Sequence, residues 1–457
     1  MLKRIETYFF ERKILILGFG VEGRSTYRFL RRILPRKMLW IADSDAAIRD
    51  LETFTEDSNV TFYLGNDYLN HFDEFDMIIK SPGISLKHMP EVDFSKFTSH
   101  TELFFRFYRN QIIGVTGTKG KSTTASLICH IIYSLTQNCL LVGNIGIPPF
   151  DLIDQIDKET VIVYELSSHQ LEQISISPKV AVLLNLFQEH LDHYESFEKY
   201  QEAKFRITMF QNPDDYFIYH GDDDLILKWI EMTGIEHNFY PFSLTSSDHN
   251  GFCVHNGNIV TRKAKDTALL PIASIINLKG QHNLLNILAA LNAVIVMVDI
   301  IHLIDLMRPI LTFKPLEHRL EFVGKFNGVE FYNDSISTIP EATIAAVEAL
   351  KNVDTLILGG FDRGIYYDGL MDYLSKSEVR NLIFIGDAGK RMFEIYNSKQ
   401  WTKKNLVLAG NFEQAVAEAK KNTGNNKICL LSPAAASYGM FKNFAERGTI
   451  YKNLVRD

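Results

Sequence analysis

Cysteine is scarce in this chain, with four thiols in 457 residues, Cys129, Cys139, Cys253 and Cys429, and no CxxC pair among them. That spacing argues against a zinc ribbon or a secreted disulfide framework and makes free thiols in a reducing cytoplasm the default. A basic excess is also missing. Lys and Arg number 48 against 55 Asp and Glu, a net charge of −7, whereas a nucleic-acid surface usually declares itself by strong positive charge. Long apolar runs are absent too: the longest, Ile287 to Val298, is broken by Asn292 and bounded by Asp299, too short to cross a bilayer. The N-terminus opens on Lys3, Arg4 and Glu6 without an apolar signal core, so nothing marks the chain for export. The expectation is a cytoplasmic globular protein that engages neither membrane nor nucleic acid.

What is present is an alternation of strand-like and helix-like stretches, the pattern of α/β architecture with parallel sheets. The length suits about three domains. The first block carries the runs Lys13–Leu17, Met38–Ala42 and Met77–Lys80 and ends near residue 107. A second contains Gln111–Val115, Thr160–Tyr164 and Val180–Leu184, and its later part, about residues 214 to 275, has short Tyr- and Phe-rich runs and the Asn256-Gly257 turn, which predict an antiparallel insertion. A third, from about Pro315, repeats the alternation at Thr355–Leu358, Asn381–Ile385 and Ile428–Leu431.

The most informative stretch is Ile112 to Thr124, an apolar strand running into Gly117-Thr118-Lys119-Gly120-Lys121-Ser122-Thr123 and then a helix. Such a turn offers backbone N–H groups to phosphate oxygens, with Lys121 reaching the terminal phosphates and the Ser122 hydroxyl facing Mg²⁺. The strict pattern has glycine where Val115 stands. Glu165 closes a later strand, where an acid commonly meets the nucleotide's Mg²⁺. The segment Asn185 to His193 packs acids and imidazoles together, which suits Mg²⁺ or hydrogen bonding better than zinc, since no thiolate is near. Upstream, Gly18-Phe19-Gly20-Val21-Glu22-Gly23 between a strand and a helix, with Asp43 ending the next strand, has the form of a dinucleotide fingerprint. Alone it suggests an NAD-dependent oxidoreductase, yet any phosphate-bearing nucleotide could use the same helix end. Asn283 and Asn286 lie three apart, so they can share a helix face and read a base. Lys204 reads on periodicity as a surface helix lysine. A regulatory NTPase switch is the reading that rests on the phosphate loop alone.

In order along the chain, Gly117 to Thr123, Gly143-Asn144-Ile145-Gly146, Glu165-Leu166-Ser167-Ser168, His190 with Asp192, Lys204, Gly280 to Asn286, His318-Arg319 and Asn333-Asp334-Ser335 resemble the Mur ligase family of peptidoglycan precursor synthesis, most closely its glutamate-adding branch. The resemblance covers essentially the whole chain. It implies a Rossmann-like domain over residues 1–107 for the UDP substrate, a central P-loop ATPase over 108–315 with a parallel sheet and a small antiparallel part, and a C-terminal Rossmann-like domain over 316–457 for the amino acid and ATP. The substrates implied are UDP-N-acetylmuramoyl-L-alanine, glutamate and ATP, with two Mg²⁺ ions, on a monomer. A folate-type glutamate ligase, the near relative, lacks the full N-terminal domain.

The same resemblance assigns roles. Gly18, Gly20, Gly23, Asp43, Ser81 and Gly83 would hold uridine and diphosphate, and Asn144 the muramoyl group. Ser122 and Glu165 would bind one Mg²⁺, His190 the second, and Lys204 would be carbamylated as a metal ligand. Lys121, Glu165, His190 and Lys204 form the implied catalytic set. Asn283, Asn286, Arg319 and Asp334 would complete the ATP site across the two later domains. Thr338 would hold the glutamate α-carboxylate, and Ser437 with the backbone of Phe444 its side-chain carboxylate. The chain departs from the branch at two places: Ile336 stands where a lysine is usual in Asp334-Ser335-Ile336-Ser337-Thr338-Ile339, and Arg363 replaces the lysine after Gly359-Gly360. Arginine keeps the charge but offers a planar fork, so the carboxylate must sit differently; the resemblance implies D-glutamate as the amino acid, and these two departures raise L-glutamate as the alternative.

Overall fold

Short apolar runs ending in glycine or a turn can bury both faces only inside a parallel sheet covered by helices, and the computed structural model follows that rule. It describes the chain apart from residues 1, 55, 85–92, 145–146, 189–192, 246–250, 262–266, 276–277, 279, 301, 315–316, 351, 363, 365, 400 and 402–403. The first sheet comprises β1 (Ile14–Leu17), β2 (Leu39–Asp43), β3 (Val60–Leu64), β4 (Met77–Lys80) and β5 (Phe97–Ser99), parallel and ordered β3-β2-β1-β4-β5. The second holds β6 (Ile112–Thr116), β7 (Cys139–Gly143), β8 (Val161–Glu165), β9 (Val180–Leu183), β10 (Tyr216–His220) and β11 (Asn238–Phe242), parallel in the order β11-β10-β9-β6-β8-β7.

The antiparallel part is smaller than the sequence predicts. Within residues 214 to 275, β10 and β11 extend the parallel sheet, because the helix Asp224–Thr233 carries the chain back between them. Among the described residues of this region, only β12 (Phe252–His255), β13 (Asn258–Thr261) and β14 (Thr267–Pro271) pair antiparallel. Asn256 and Gly257, at φ 48° and 74°, form the two-residue turn between the first two, the left-handed pair that matches hairpin twist. The last sheet contains β15 (Glu321–Phe326), β16 (Val329–Asn333), β17 (Val353–Gly359), β18 (Asn381–Ile385), β19 (Asn405–Ala409) and β20 (Ile428–Leu431), ordered β15-β16-β20-β17-β18-β19. There only β15 and β16 pair antiparallel.

The chain forms two compact units, Met1–Ser274 with Leu285–Leu311, and Ile275–Leu284 with Thr312–Asp457. In the first, the two large sheets share a core. The helix Val21–Ile33 lays Phe29 flat on Phe150 with ring centroids 4.3 Å apart, and its Ser25 hydroxyl donates to Asp151 at 3.0 Å. In the second, strand residues alternate between two faces: Leu356, Leu358, Leu382 and Phe384 pack on one, Ile357, Ile383, Cys429 and Leu431 on the other.

Candidate active site

At the end of β6 the chain turns through Gly117 (φ 151°) and Gly120 (φ 85°) into the helix Lys121–Thr136. A Cβ on Gly117 would stand 2.8 Å from that of Leu184, and one on Gly120 would run into the Asn286 side-chain oxygen. Close backbone approach and left-handed φ together therefore require glycine at both positions. No side chain caps the helix, the arrangement that leaves first-turn N–H groups for an anion. The loop's shape is fixed from outside it. Lys119 N–H donates to Asn185 Oδ1 at 2.8 Å, Phe187 N–H to Thr118 Oγ1 at 2.9 Å, and the Thr118 and Tyr200 hydroxyls meet at 3.0 Å. Lys121 folds back over the loop, its Nζ donating to the Gly117 and Thr118 carbonyls at 2.9 Å each. Ser122 is half-buried in the first helical turn, and Thr123 is buried beside it.

Glu165 lies beside this loop because β8 pairs with β6 in the register Val115 to Glu165. Its carboxylate is buried; Oε1 accepts from Asn144 Nδ2 at 3.0 Å, and Oε2 has no partner among the described residues. A buried carboxylate oxygen with no donor suits a hard cation, so the residues fit a Mg²⁺ ion. Asn144 is also held by its backbone, N–H to the Glu165 carbonyl at 3.0 Å. Lys204, expected on periodicity at the surface, is 2% exposed, and its Nζ donates to the Gly117 carbonyl at 2.9 Å. The helix Phe197–Met209 turns that face inward because Tyr200, Ala203 and Lys204 are all buried against the loop side. His190 and Asp192 lie outside the described residues, as do Ile145 and Gly146; among the described residues no three His, Cys, Asp or Glu side chains cluster to hold a metal.

The first glycine turn is equally tight. Gly18 (φ 90°) has Ser81 against it, a Cβ on Gly23 would strike the Gly18 carbonyl, and the Ser81 hydroxyl donates to that carbonyl at 2.8 Å. Gly20 precedes the helix Val21–Ile33 without a side-chain cap. Asp43, at the end of β2, uses its carboxylate on the turn itself, accepting from Phe19 N–H at 2.7 Å and Asp45 N–H at 2.9 Å. Gly83 is exposed. Sequence reasoning passed over Glu22, whose Oε1 accepts from Gln170 Nε2 at 2.6 Å and whose Oε2 is buried without a partner among the described residues. Burial raises its carboxyl to about 7. Its position inside the glycine fingerprint was the available signal.

In the second unit, Asp334 follows β16 and is buried, accepting from the Ser432 hydroxyl at 2.7 Å and Leu320 N–H at 3.2 Å. Burial raises its carboxyl to about 6, opposed by bonds from Ser337 and Ser432 and by the charge of Arg319. Arg319 acts on His282 as well, which burial and that charge bring down to about 4. Arg319 and Asp334 thus come together with the segment that carries Asn283, itself buried. Thr338 is half-buried, Ser437 is buried, and the Phe444 carbonyl accepts the Ser335 hydroxyl at 2.8 Å. Arg363 lies outside the described residues.

Three family models match this chain: the Mur ligase MurD-like N-terminal domain over residues 12–96, the Mur ligase middle domain over 115–294, and the Mur ligase glutamate ligase domain over 318–435. The chain is 31% identical over 455 residues to UDP-N-acetylmuramoylalanine–D-glutamate ligase of Thermoanaerobacter sp. (strain X514), covering 98% of both chains. It is 32% identical over 453 residues to the enzyme of the same name from Clostridium botulinum (strain Langeland / NCTC 10281 / Type F), covering 97% of this chain and 96% of that one. Among solved structures, the MurF ligase from Thermotoga maritima in complex with ADP is similar at a TM-score of 0.60 and 15% identity, over 97% of this chain and 93% of that one. At that identity the likeness speaks to the fold.

Proposed function

Because the chain belongs to the Mur ligase family, we propose that it is an ATP-dependent, ADP-forming ligase that joins D-glutamate to UDP-N-acetylmuramoyl-L-alanine in peptidoglycan precursor synthesis. The reading is carried by Lys121, Glu165 and Lys204 gathered at the end of β6, in a chain that resembles D-glutamate ligases from end to end. The family models that match the chain are Mur ligase domains, and the nicotinamide reading of the Gly18 turn is dropped. The three domains, 1–107, 108–315 and 316–457, remain part of the proposal, as do a cytoplasmic location and a monomeric state.

A carboxylate is a poor acyl donor. In the proposed reaction the substrate's L-alanyl carboxylate attacks the γ-phosphorus of ATP, ADP leaves, and the glutamate amine displaces phosphate from the acyl phosphate. The protein contributes mainly position and charge. Lys121 would turn from the loop carbonyls to the terminal phosphates, and the helix Lys121–Thr136 would present its first N–H groups to them. Asn144 steadies the Glu165 carboxylate through Oε1 and leaves Oε2 for a cation. Mg²⁺ held by Glu165 and Ser122, with a second ion at His190, would neutralise phosphate charge. Lys121 and Lys204 both donate to the Gly117 carbonyl, and two ammonium groups crowded on one oxygen repel. Carbamylation of Lys204 would remove that repulsion and supply an anionic metal ligand, which supports that assignment.

ADP release measured with UDP-N-acetylmuramoyl-L-alanine and each enantiomer of glutamate tests the reading. Turnover with D-glutamate is expected. Turnover with L-glutamate alone would move the chain to the alternative suggested by Ile336 and Arg363, and none with either would retire the ligase assignment.

A further inference from the structure

We propose that Arg447 is the positioning residue of the amino-acid site, a single buried guanidinium that ties together three strand-end loops of the second unit and sets positive charge beneath the bound glutamate. The proposal rests on the glutamate-ligase reading above. Arg447 lies in the first turns of the helix Phe444–Arg456 and is 1% exposed. Its Nε donates to the Ser335 hydroxyl at 3.0 Å and Nη2 to the Ser335 carbonyl at 2.8 Å. Nη1 donates to the Ala435 and Ala436 carbonyls at 3.1 and 3.3 Å, and reaches the Gly359 carbonyl at 3.5 Å. Ser335 follows β16, Gly359 closes β17, and Ala435 and Ala436 follow β20; in the sheet these three strands are neighbours, ordered β16-β20-β17. One side chain thus fixes the spacing of three loops that are far apart in sequence. Ser335 passes the constraint on, since its hydroxyl donates to the Phe444 carbonyl at 2.8 Å.

Two of those loops, after β16 and after β20, lead into Thr338, Ser437 and Phe444, the positions expected to hold the two glutamate carboxylates. The acceptors of Arg447 are carbonyls and a hydroxyl, which satisfy its N–H groups but do not cancel its charge. Burial brings its pKa down to about 9, with Asp334 acting in the opposite direction, so the group stays charged at neutral pH. A buried cation of this kind is costly to keep, and an anionic ligand bound over it recovers part of that cost. Lysine could hold the charge but not the fork that spans three loops.

The test uses full-length Arg447→Lys and Arg447→Met, with KM measured separately for glutamate, ATP and the nucleotide substrate by ADP release. KM for glutamate should rise about tenfold or more in both, while the other two KM values stay within a small factor of wild type. Guanidinium ion added to Arg447→Ala should lower the raised KM for glutamate. An unchanged KM for glutamate in the folded variants, or equal rises in all three KM values, would overturn the proposal. If these variants do not fold, Ser335→Ala, which removes the Nε acceptor, takes their place with the same two outcomes. Wild-type protein lacking any glutamate-dependent ADP release would reject the functional reading instead, before a variant is made.

Discussion

Replacing Glu22 by glutamine should stabilise the protein above neutral pH and leave it nearly unchanged in acid. Glu22 stands in the first turn of the helix Val21–Ile33, where the helix end favours an anion. Burial nevertheless dominates and raises its carboxyl from 4.5 to about 7, against the opposing pull of the Gln170 bond and the Lys80 ammonium. Lys80 is itself drawn down by burial, with Glu172 and Glu22 opposing that shift, so the cation that faces Glu22 is shared with a second carboxylate. A folded-state value above the unfolded one means that the fold prefers the neutral acid. Its contribution is complete below pH 4.5 and is lost as pH rises through 7. At about 1.4 kcal/mol per unit, the full shift sets a ceiling of roughly 3 kcal/mol at pH 8. Glutamine keeps an oxygen for Gln170 and has no charge to desolvate. Thermal unfolding of both proteins across this pH range should show a gap that widens with pH, by roughly 2–4 °C per kcal/mol. A gap that stays constant from acid to pH 8 would refute the argument, because the ionised carboxylate would then be well solvated. Binding follows the same sign. If the Gly18 turn holds the diphosphate, an ionised Glu22 repels it, so KM for the nucleotide substrate should rise above pH 7 in wild type and stay flat in the variant.

Lys121→Ala should lower ADP release by at least about a hundredfold, as expected when a main transition-state charge contact is lost, while circular dichroism stays unchanged; normal turnover would remove the phosphate loop from the mechanism. Protein incubated with ¹³C-bicarbonate should show a carbamate resonance that is absent in Lys204→Met, and its absence from active wild-type enzyme would exclude carbamylation. Phe150→Ala removes the ring stacked on Phe29 from a site 3% exposed, and urea unfolding should show a loss of about 3–5 kcal/mol.

The strands legible in the sequence were those buried on both faces, because a continuous apolar run bounded by turns leaves little choice. Lys13–Leu17, Val180–Leu184 and Ile428–Leu431 correspond to β1, β9 and β20. β3, Val60–Leu64, is only partly buried and mixed in polarity, and β5 is three residues long, so neither carries a periodic signal. The direction of β10 and β11 depends on a helix between them, which aromatic runs do not reveal. In the site, glycine spacing pointed to both turns, since left-handed φ and close packing leave no other residue. Lys204 was hidden because burial of a lysine is set by a loop far away in sequence. Arg447 was hidden for the same reason, two of its acceptors, Ser335 and Gly359, lying 112 and 88 residues away in sequence.

The three large sheets solve one geometric problem in the same way. In an open parallel sheet, a crevice forms at strand carboxyl ends where successive connections leave in opposite directions. In the first sheet that place is between β1 and β4, and there the Gly18 turn meets Ser81. In the second it is at β6, flanked by β8 and β9, where Gly117, Glu165 and Leu184 converge. In the third it lies where β20 inserts between β16 and β17, and Ser335, Gly359 and Ala435 meet around Arg447. The first two crevices are shaped by glycines that allow close backbone approach where a helix begins without a side-chain cap, which suits phosphate. The third is held instead by a buried cation bonded to carbonyls, which suits a small ligand carrying carboxylates. Under the proposed function, a nucleotide diphosphate, a triphosphate and an acidic amino acid would each be matched by what closes its crevice.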